Sequence, residues 1–158
     1  MSDDARAVAG RLYAALQRLD GDAMAACYAD DAQFADPAFP DLRGARIGAM
    51  WRMLCRGATD WSMDWRVVDA TADRAVVDWV ARYRFGGARR PVVNRIRSEI
   101  EVRDGRIVRQ RDAFDFARWA RQALGFPGLL MGWSGAFQRQ VQATVAKRLD
   151  AFVAREAR

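Results

Sequence analysis

The chain contains no histidine, so any proton transfer near neutral pH falls to carboxylates, tyrosine or cysteine. Asp36 is the leading candidate. It lies between Phe34 and the run Pro37-Ala38-Phe39, an apolar setting that disfavours a charged carboxylate and lifts its pKa toward the working range of a base. The plain structural alternative is an Asx-Pro turn whose carboxylate caps its own loop. Asp112 follows Arg111 on a strand that is otherwise apolar on the same face, so an inward carboxylate there is either functional or paired with an inward arginine. Tyr13 interrupts an apolar helical stripe and is either core or a donor to developing negative charge. Asn94 and Ser98 share a strand face with Ile96 and Ile100 and offer neutral donors for a carbonyl or hydroxyl. Trp51, Trp79, Tyr83 and Phe114 are expected to line the walls, with Phe39 beside Asp36. Together these residues suit cofactor-free acid–base chemistry on a small apolar carbonyl, hydroxyl or epoxide. Asp36 moves the proton, Asp112 acts as a second acid or positions water, and Tyr13 with Ser98 or Asn94 stabilises charge. The alternative is a non-catalytic small-molecule-binding or dimerisation module.

The elements that must hold these groups follow from hydrophobic period. Ser2 can cap a helix carrying Val8, Leu12, Ala15, Leu16 and Leu19, ended by Asp20-Gly21, after which Asp22 caps a second short helix through Ala29. Phe34 opens a short extended piece, Pro37 and Pro40 punctuate a loop, and Gly44 leads into a third helix with Ile47, Met50, Trp51 and Leu54. From Trp61 the period becomes two: Met63, Trp65 and Val67, then Val77, Trp79, Ala81, Tyr83 and Phe85. Gly86-Gly87 turns the chain into a strand from about Val92 to Val102, and Asp104-Gly105 turns it into a last strand through about Phe114. Three long antiparallel strands after three helices make the class α+β. A twisted sheet wrapped round a helix leaves a conical cavity. Asp115 is placed to cap the helix bearing Trp119.

At 158 residues and 17.8 kDa one domain is expected over 1–158, with a core at about 5–117 and a helical extension at about 118–158. No apolar run approaches a membrane span, and the acidic start Met1-Ser2-Asp3-Asp4 points to the cytoplasm rather than to a signal peptide. Cys27 and Cys55 are expected to be free buried thiols. The net charge of +6 invites nucleic acid, but the basic residues are spread out and alternate with acids, so no nucleic-acid partner is expected. Neither a phosphate-binding glycine motif nor a metal constellation is present, so no cofactor or metal is expected.

Tyr13-Ala14-Ala15-Leu16, the run Tyr28-Ala29-Asp30-Asp31-Ala32-Gln33-Phe34-Ala35-Asp36-Pro37 and then Gly44 resemble the nuclear transport factor 2-like superfamily. This cone-shaped fold, a cystatin-like roll of curved antiparallel sheet on N-terminal helices, includes ketosteroid isomerases, SnoaL-like polyketide cyclases and limonene epoxide hydrolases. The resemblance covers about residues 5–117. It implies that Asp36 matches a general base beside a ketone and Tyr13 an oxyanion donor. Where ketosteroid isomerases add a protonated aspartic acid, matching Ile100 and Val102 inward puts Ser98. A one-residue shift would put Arg97 there but turn the apolar row outward, so Ser98 is preferred. The resemblance also has Gln110, Asp112 and Phe114 facing the cavity, Asp112 resembling the acid on the final strand of the cyclases and epoxide hydrolases. The stretch from Asn94 through Asp112-Ala113-Phe114-Asp115 to Trp119 and Gly125, with Leu129-Leu130-Met131-Gly132-Trp133, looks like a bacterial SnoaL-like subfamily.

The tail returns to helical period, with a break at Phe126-Pro127-Gly128 and then a stripe of Phe137, Val141, Val145, Leu149, Phe152 and Val153. The apolar segment from Phe126 to Trp133 suits closure of the cone's mouth or a homodimer contact. With Arg139, Lys147, Arg148 and Arg155 opposite the stripe, it would also suit a membrane surface.

Overall fold

A computed structural model describes residues 4–158. Helix α1 (Ala5–Gln17) is capped by Asp4, whose carboxylate accepts from the Ala7 amide at 2.9 Å; the expected cap, Ser2, lies outside the described residues. Val8, Leu12, Tyr13, Ala15 and Leu16 are buried. The helix gives way at Leu19, which takes a left-handed φ of 58°. Asp20 then caps α2 (Gly21–Ala25) by accepting from Ala23 at 3.0 Å. This corrects the expected cap Asp22 and the expected end at Ala29. Helix α2 stops early because strand β1 (Tyr28–Ala35) has already begun. Sequence reading found only its last residues. Alanines and aspartates are poor strand formers, and hydrogen bonds to a distant strand hold this segment extended.

A short strand β2 (Leu42–Arg43) leads through Gly44, at φ 57°, into α3 (Ala45–Gly57). A Cβ on Gly44 would come within 2.9 Å of the Asp30 carbonyl, so glycine is required there on both counts. Strands β3 (Ser62–Ala70), β4 (Arg74–Phe85), β5 (Arg90–Arg103) and β6 (Arg106–Ala113) form an antiparallel series. The sheet has six strands in the open order β2-β1-β6-β5-β4-β3; β3 to β6 are the segments of alternating period, and β1 and β2 extend the sheet beyond them. It is mixed, not purely antiparallel, because β1 runs parallel to β6. Helix α1 lies across the inner face of β3, β4 and β5.

Inner-face identity alternates strictly along β5, where Val92, Asn94, Ile96, Ser98, Ile100 and Val102 are all buried. Arg97 is turned outward and held by Asp78 at 2.7 and 2.9 Å, so the register chosen for Ser98 is the observed one. Strand β6 contains a bulge: Val102 pairs with Ile107 and Glu101 with Arg109, passing over Val108. Counting by twos from the buried Ile107 would turn Gln110 and Asp112 outward. The extra residue brings both inside.

Beyond β6, Asp115 caps α4 (Phe116–Leu124) as expected, accepting from Arg118 at 3.0 Å. The predicted break at Phe126-Pro127-Gly128 is instead the start of a short helix α5 (Phe126–Met131), with proline in its first turn, where no amide partner is needed. Helix α6 (Gly135–Glu156) buries Leu149 and Phe152 and half-buries Phe137, Val141, Val145 and Val153. Arg52 of α3 anchors its end through Glu156 at 2.9 and 3.0 Å. Cys27 and Cys55 are free and buried. Among the described residues no helix is long and apolar enough to cross a membrane.

Candidate active site

Asp36 follows directly on β1, in phase with the buried Ala32 and Phe34. Phe34 pairs with Gln110 and Ala35 with Arg111, so the same register sets Asp36 beside Asp112. Both carboxyls therefore project from neighbouring strands to the inner side of the sheet. The Asp36 loop closes on itself. Oδ1 accepts from the amides of Ala38 at 2.7 Å and Phe39 at 2.6 Å, while the Asp36 amide donates to the Phe39 carbonyl at 2.8 Å. The Asx turn is thus real, and it engages one carboxylate oxygen only. Burial pushes the Asp36 pKa up to about 6 against the pull of those two amides.

Asp112 is 5% exposed. The only buried polar side chains among the described residues are Asn94, Ser98, Gln110 and Asp112, so no buried arginine pairs with it and the ion-pair alternative fails. Its partners are neutral. Gln110 donates Nε2–H to Oδ1 at 2.9 Å, and Ser98 pairs with Asp112 across β5 and β6 and favours its charged form. Desolvation outweighs these donors, the nearby Asp36 charge adds to it, and the Asp112 pKa rises to about 7.

Gln110 is itself oriented. Its Oε1 accepts from the Tyr28 hydroxyl, which accepts in turn from Trp51 Nε1 at 2.9 Å. A second indole, Trp79 Nε1, donates to Ser98 Oγ at 2.9 Å. Trp51 and Trp79 therefore serve as donors in the walls as well as apolar surface. Tyr28 was not singled out as a site residue by sequence reading. The one available signal was parity with Ala32, Phe34 and Asp36, and it required recognising β1 as a strand.

The Tyr13 hydroxyl is fully buried and makes no hydrogen bond. Ser98 and Trp79 lie near it, but the indole is aimed at Ser98 instead. Burial, then the charge of Asp112, raise the Tyr13 pKa well above its ordinary value and keep the hydroxyl protonated. Such an orphaned donor calls for an explanation. Trp61 Nε1 is the other one among the described residues.

Asp36, Pro37, Ala38, Tyr83 and Phe114 are half-buried and form the more open side of the cluster, while Phe39 is buried beneath them. The Tyr83 hydroxyl feels the Asp36 charge and accepts from Trp119 Nε1 at 2.9 Å. From the extension, Gln138 and Gln142 both donate to the Pro37 carbonyl at 3.1 Å, strapping α6 to the Asp36 loop. Asn94 is buried on the inner face and makes no side-chain hydrogen bond among the described residues.

The expected roomy cone is largely occupied by aromatic rings. Tyr13 packs on Trp65 and Trp79 at 5.9 and 5.7 Å between ring centres, Phe34 on Trp51 at 5.8 Å, and Trp61 on Tyr83 at 6.2 Å. Two hollows of about 500 and 410 Å³ lie elsewhere. One is on the outer face of the sheet around Arg66, Asp78 and Arg95, the other between the α1–α2 turn with the start of α2 and helix α3, around Arg18 and Arg52.

Residues 9–110 match the profile of a family described as SnoaL-like domain. No curated protein matches the chain. Among solved structures, a protein provisionally named a polyketide cyclase from Silicibacter sp. TM1040 superposes with a TM-score of 0.65 at 18% identity, over 75% of this chain and 93% of that one. An LEH-like epoxide hydrolase from M. tuberculosis gives 0.58 at 25% identity, over 79% and 88%. A hypothetical protein of ketosteroid isomerase-like fold from Catenulispora acidiphila, in complex with trimethylamine, gives 0.64 at 16% identity, over 77% and 94%. The fold is the one these proteins share.

Proposed function

Because the chain belongs to the SnoaL-like domain family, we propose that it is a cofactor-free enzyme that moves a proton next to the carbonyl of a small, largely apolar substrate. The observation that carries this reading is a pair of adjacent inward carboxyls set near a buried tyrosine hydroxyl, the carboxyls without a buried cation and the hydroxyl without a partner among the described residues. Near neutral pH Asp36, at about 6, is mostly ionised, while Asp112, at about 7, is about half protonated.

In this mechanism the substrate enters from the Asp36 side. The Asp36 oxygen free of the loop amides takes the proton from the carbon beside the carbonyl; the C–H electron pair forms the C=C bond of the enolate and the C=O π pair moves to the carbonyl oxygen. Tyr13 O–H donates to that oxygen, and protonated Asp112 supplies a second donor. Where a substrate C=C is conjugated with the enolate, return of the proton from Asp36 to its far carbon completes an isomerisation; where the enolate attacks a second carbonyl, that carbonyl's oxygen takes the proton from Asp36 and completes a cyclisation. The 25% identity to the epoxide hydrolase favours an epoxide as the second reading, with Asp112 protonating the ring oxygen and Asp36 activating water.

The test is exchange of α-protons in D2O, followed by NMR, over a panel of enolisable cyclic ketones. Wild type should exchange one subset, and Asp36→Asn should not. Tyr13→Phe should slow exchange about 100- to 1,000-fold, the scale expected of a lost oxyanion donor. Its stability should stay within about 0.5 kcal/mol of wild type, because the hydroxyl removed has no partner. Absence of exchange across the ketones, and of ring opening across a second panel of epoxides, with wild type and Asp36→Asn alike in ligand retention, would leave the binding-module alternative.

A further inference from the structure

Four apolar side chains of the segment joining α4 to α6 stand in solvent instead of closing over the cone. Phe126, Leu130, Met131 and Trp133 are 70%, 55%, 48% and 81% exposed, whereas the other exposed large hydrophobics among the described residues, Leu54 and Val68, stand singly. The cause is local. The segment docks through glycine backbone: a Cβ on Gly128 would sit 2.0 Å from the Ala120 carbonyl, and one on Gly132 would sit 3.1 Å from the Ala120 Cβ. Backbone faces α4, so these apolar side chains are left outside. Trp133 Nε1 is satisfied by the Leu130 carbonyl at 2.9 Å, which removes the polar cost of placing the indole in an apolar medium.

Charge around this tip is one-sided. Residues 116–149 contain no Asp or Glu, but include Arg118, Arg121, Arg139, Lys147 and Arg148. The Arg90 guanidinium lies against Gly125 at the tip's start, and that of Arg139 lies near Gly135 at its end. Apolar rings and thioether at the apex with guanidinium groups behind them match the layering of a bilayer surface.

We propose that this tip docks on an anionic phospholipid surface, with Phe126, Leu130, Met131 and Trp133 entering the headgroup boundary and Arg90, Arg121 and Arg139 meeting the phosphates. A second copy of the chain fits less well, since a two-fold contact would press two acid-free basic tips together. Through Gln138 and Gln142 the same extension holds the Asp36 loop, so docking would set the open side of the carboxylate cluster near a reservoir of apolar molecules. That last consequence rests on the proposed function; the docking does not.

The experiment is co-sedimentation of the full chain with vesicles of phosphatidylcholine alone and with vesicles also containing phosphatidylglycerol. Binding is expected to the anionic vesicles only, to weaken as salt rises, and to fall at least about tenfold in Phe126→Ala with Trp133→Ala, both exposed positions whose change leaves the fold intact. Three results overturn the proposal. One is no binding to anionic vesicles, and another is undiminished binding by the double variant, which would mean adhesion of a basic surface in general. The third is a dimer in solution that the double variant dissolves, which would assign the tip to a second copy.

Discussion

Asp36, just past the end of β1, and Asp112 on β6 stand side by side, yet they are held by different kinds of structure. Asp112 is fixed by side chains from the sheet and the helices beneath it: Gln110, then Tyr28, then Trp51, with Ser98 braced by Trp79. Asp36 is fixed by the amides of its own loop, and that loop is strapped from outside by Gln138 and Gln142. The difference separates their chemistry. Two amides offset part of the desolvation at Asp36, whereas Asp112 is more buried and also feels the Asp36 charge, so it holds its proton to higher pH. One carboxyl is suited to take a proton, the other to give one, and the more open of the two sits on the more adjustable support.

The comparison breaks most visibly in rate. Asp36→Asn should lower proton exchange by about 100- to 10,000-fold, the usual worth of a positioned base. Asp112→Asn should cost less, because an amide can still donate. Equal losses, measured under the same substrate conditions, would mean that the pair acts as one unit.

Stability gives the next largest effect. Both carboxyls bind protons more tightly folded than unfolded, so their contribution is most favourable below their ordinary 3.8 and is lost as pH rises through about 6 and about 7. Moving Asp112 from 3.8 to about 7 corresponds to at most about 4 kcal/mol against its charged form. Asp112→Asn should therefore raise stability near pH 8 and flatten its fall between about pH 4 and 8 in denaturant titrations. Asp36→Asn should do so less, since it forfeits a carboxylate that accepts from two amides.

Tyr28→Phe sharpens the contrast by removing the brace of one carboxyl only. Trp51 Nε1 and Gln110 Oε1 both lose a buried partner, a cost of about 1–3 kcal/mol in chemical unfolding. The Asp36 limb of the pH–rate profile should not move. The mildest change is Gln138→Ala with Gln142→Ala, about 1 kcal/mol. Loosening the loop admits water to Asp36, so its apparent pKa should drop from about 6 toward 3.8 while the Asp112 limb stays in place.

Hydrophobic period alone located α1, α3, the long strands and the stripe of α6, because half-buried elements write their buried face into the sequence at a spacing of two or about 3.6. It also placed Asn94, Ser98 and the outward Arg97, since β5 alternates without interruption. Where a partner distant in sequence holds the backbone, that signal fades. Strand β1 reads as a polar, alanine-rich run, and β6 supplies the hydrogen bonds that extend it. The bulge at Val108 that turns Gln110 and Asp112 inward has no mark in the chain, although the resemblance had placed both there. Composition and local setting determined that any proton transfer near neutral pH falls to carboxylates, tyrosine or cysteine, and that Asp36 sits in an apolar loop. Only the tertiary packing brought Asp36 beside Asp112, left the pair without a buried cation and the Tyr13 hydroxyl without a partner among the described residues, and tied a helix about a hundred residues away to the Asp36 loop. Those are relations between distant segments, fixed by sheet register and burial, and residue types and spacing within one segment do not encode them.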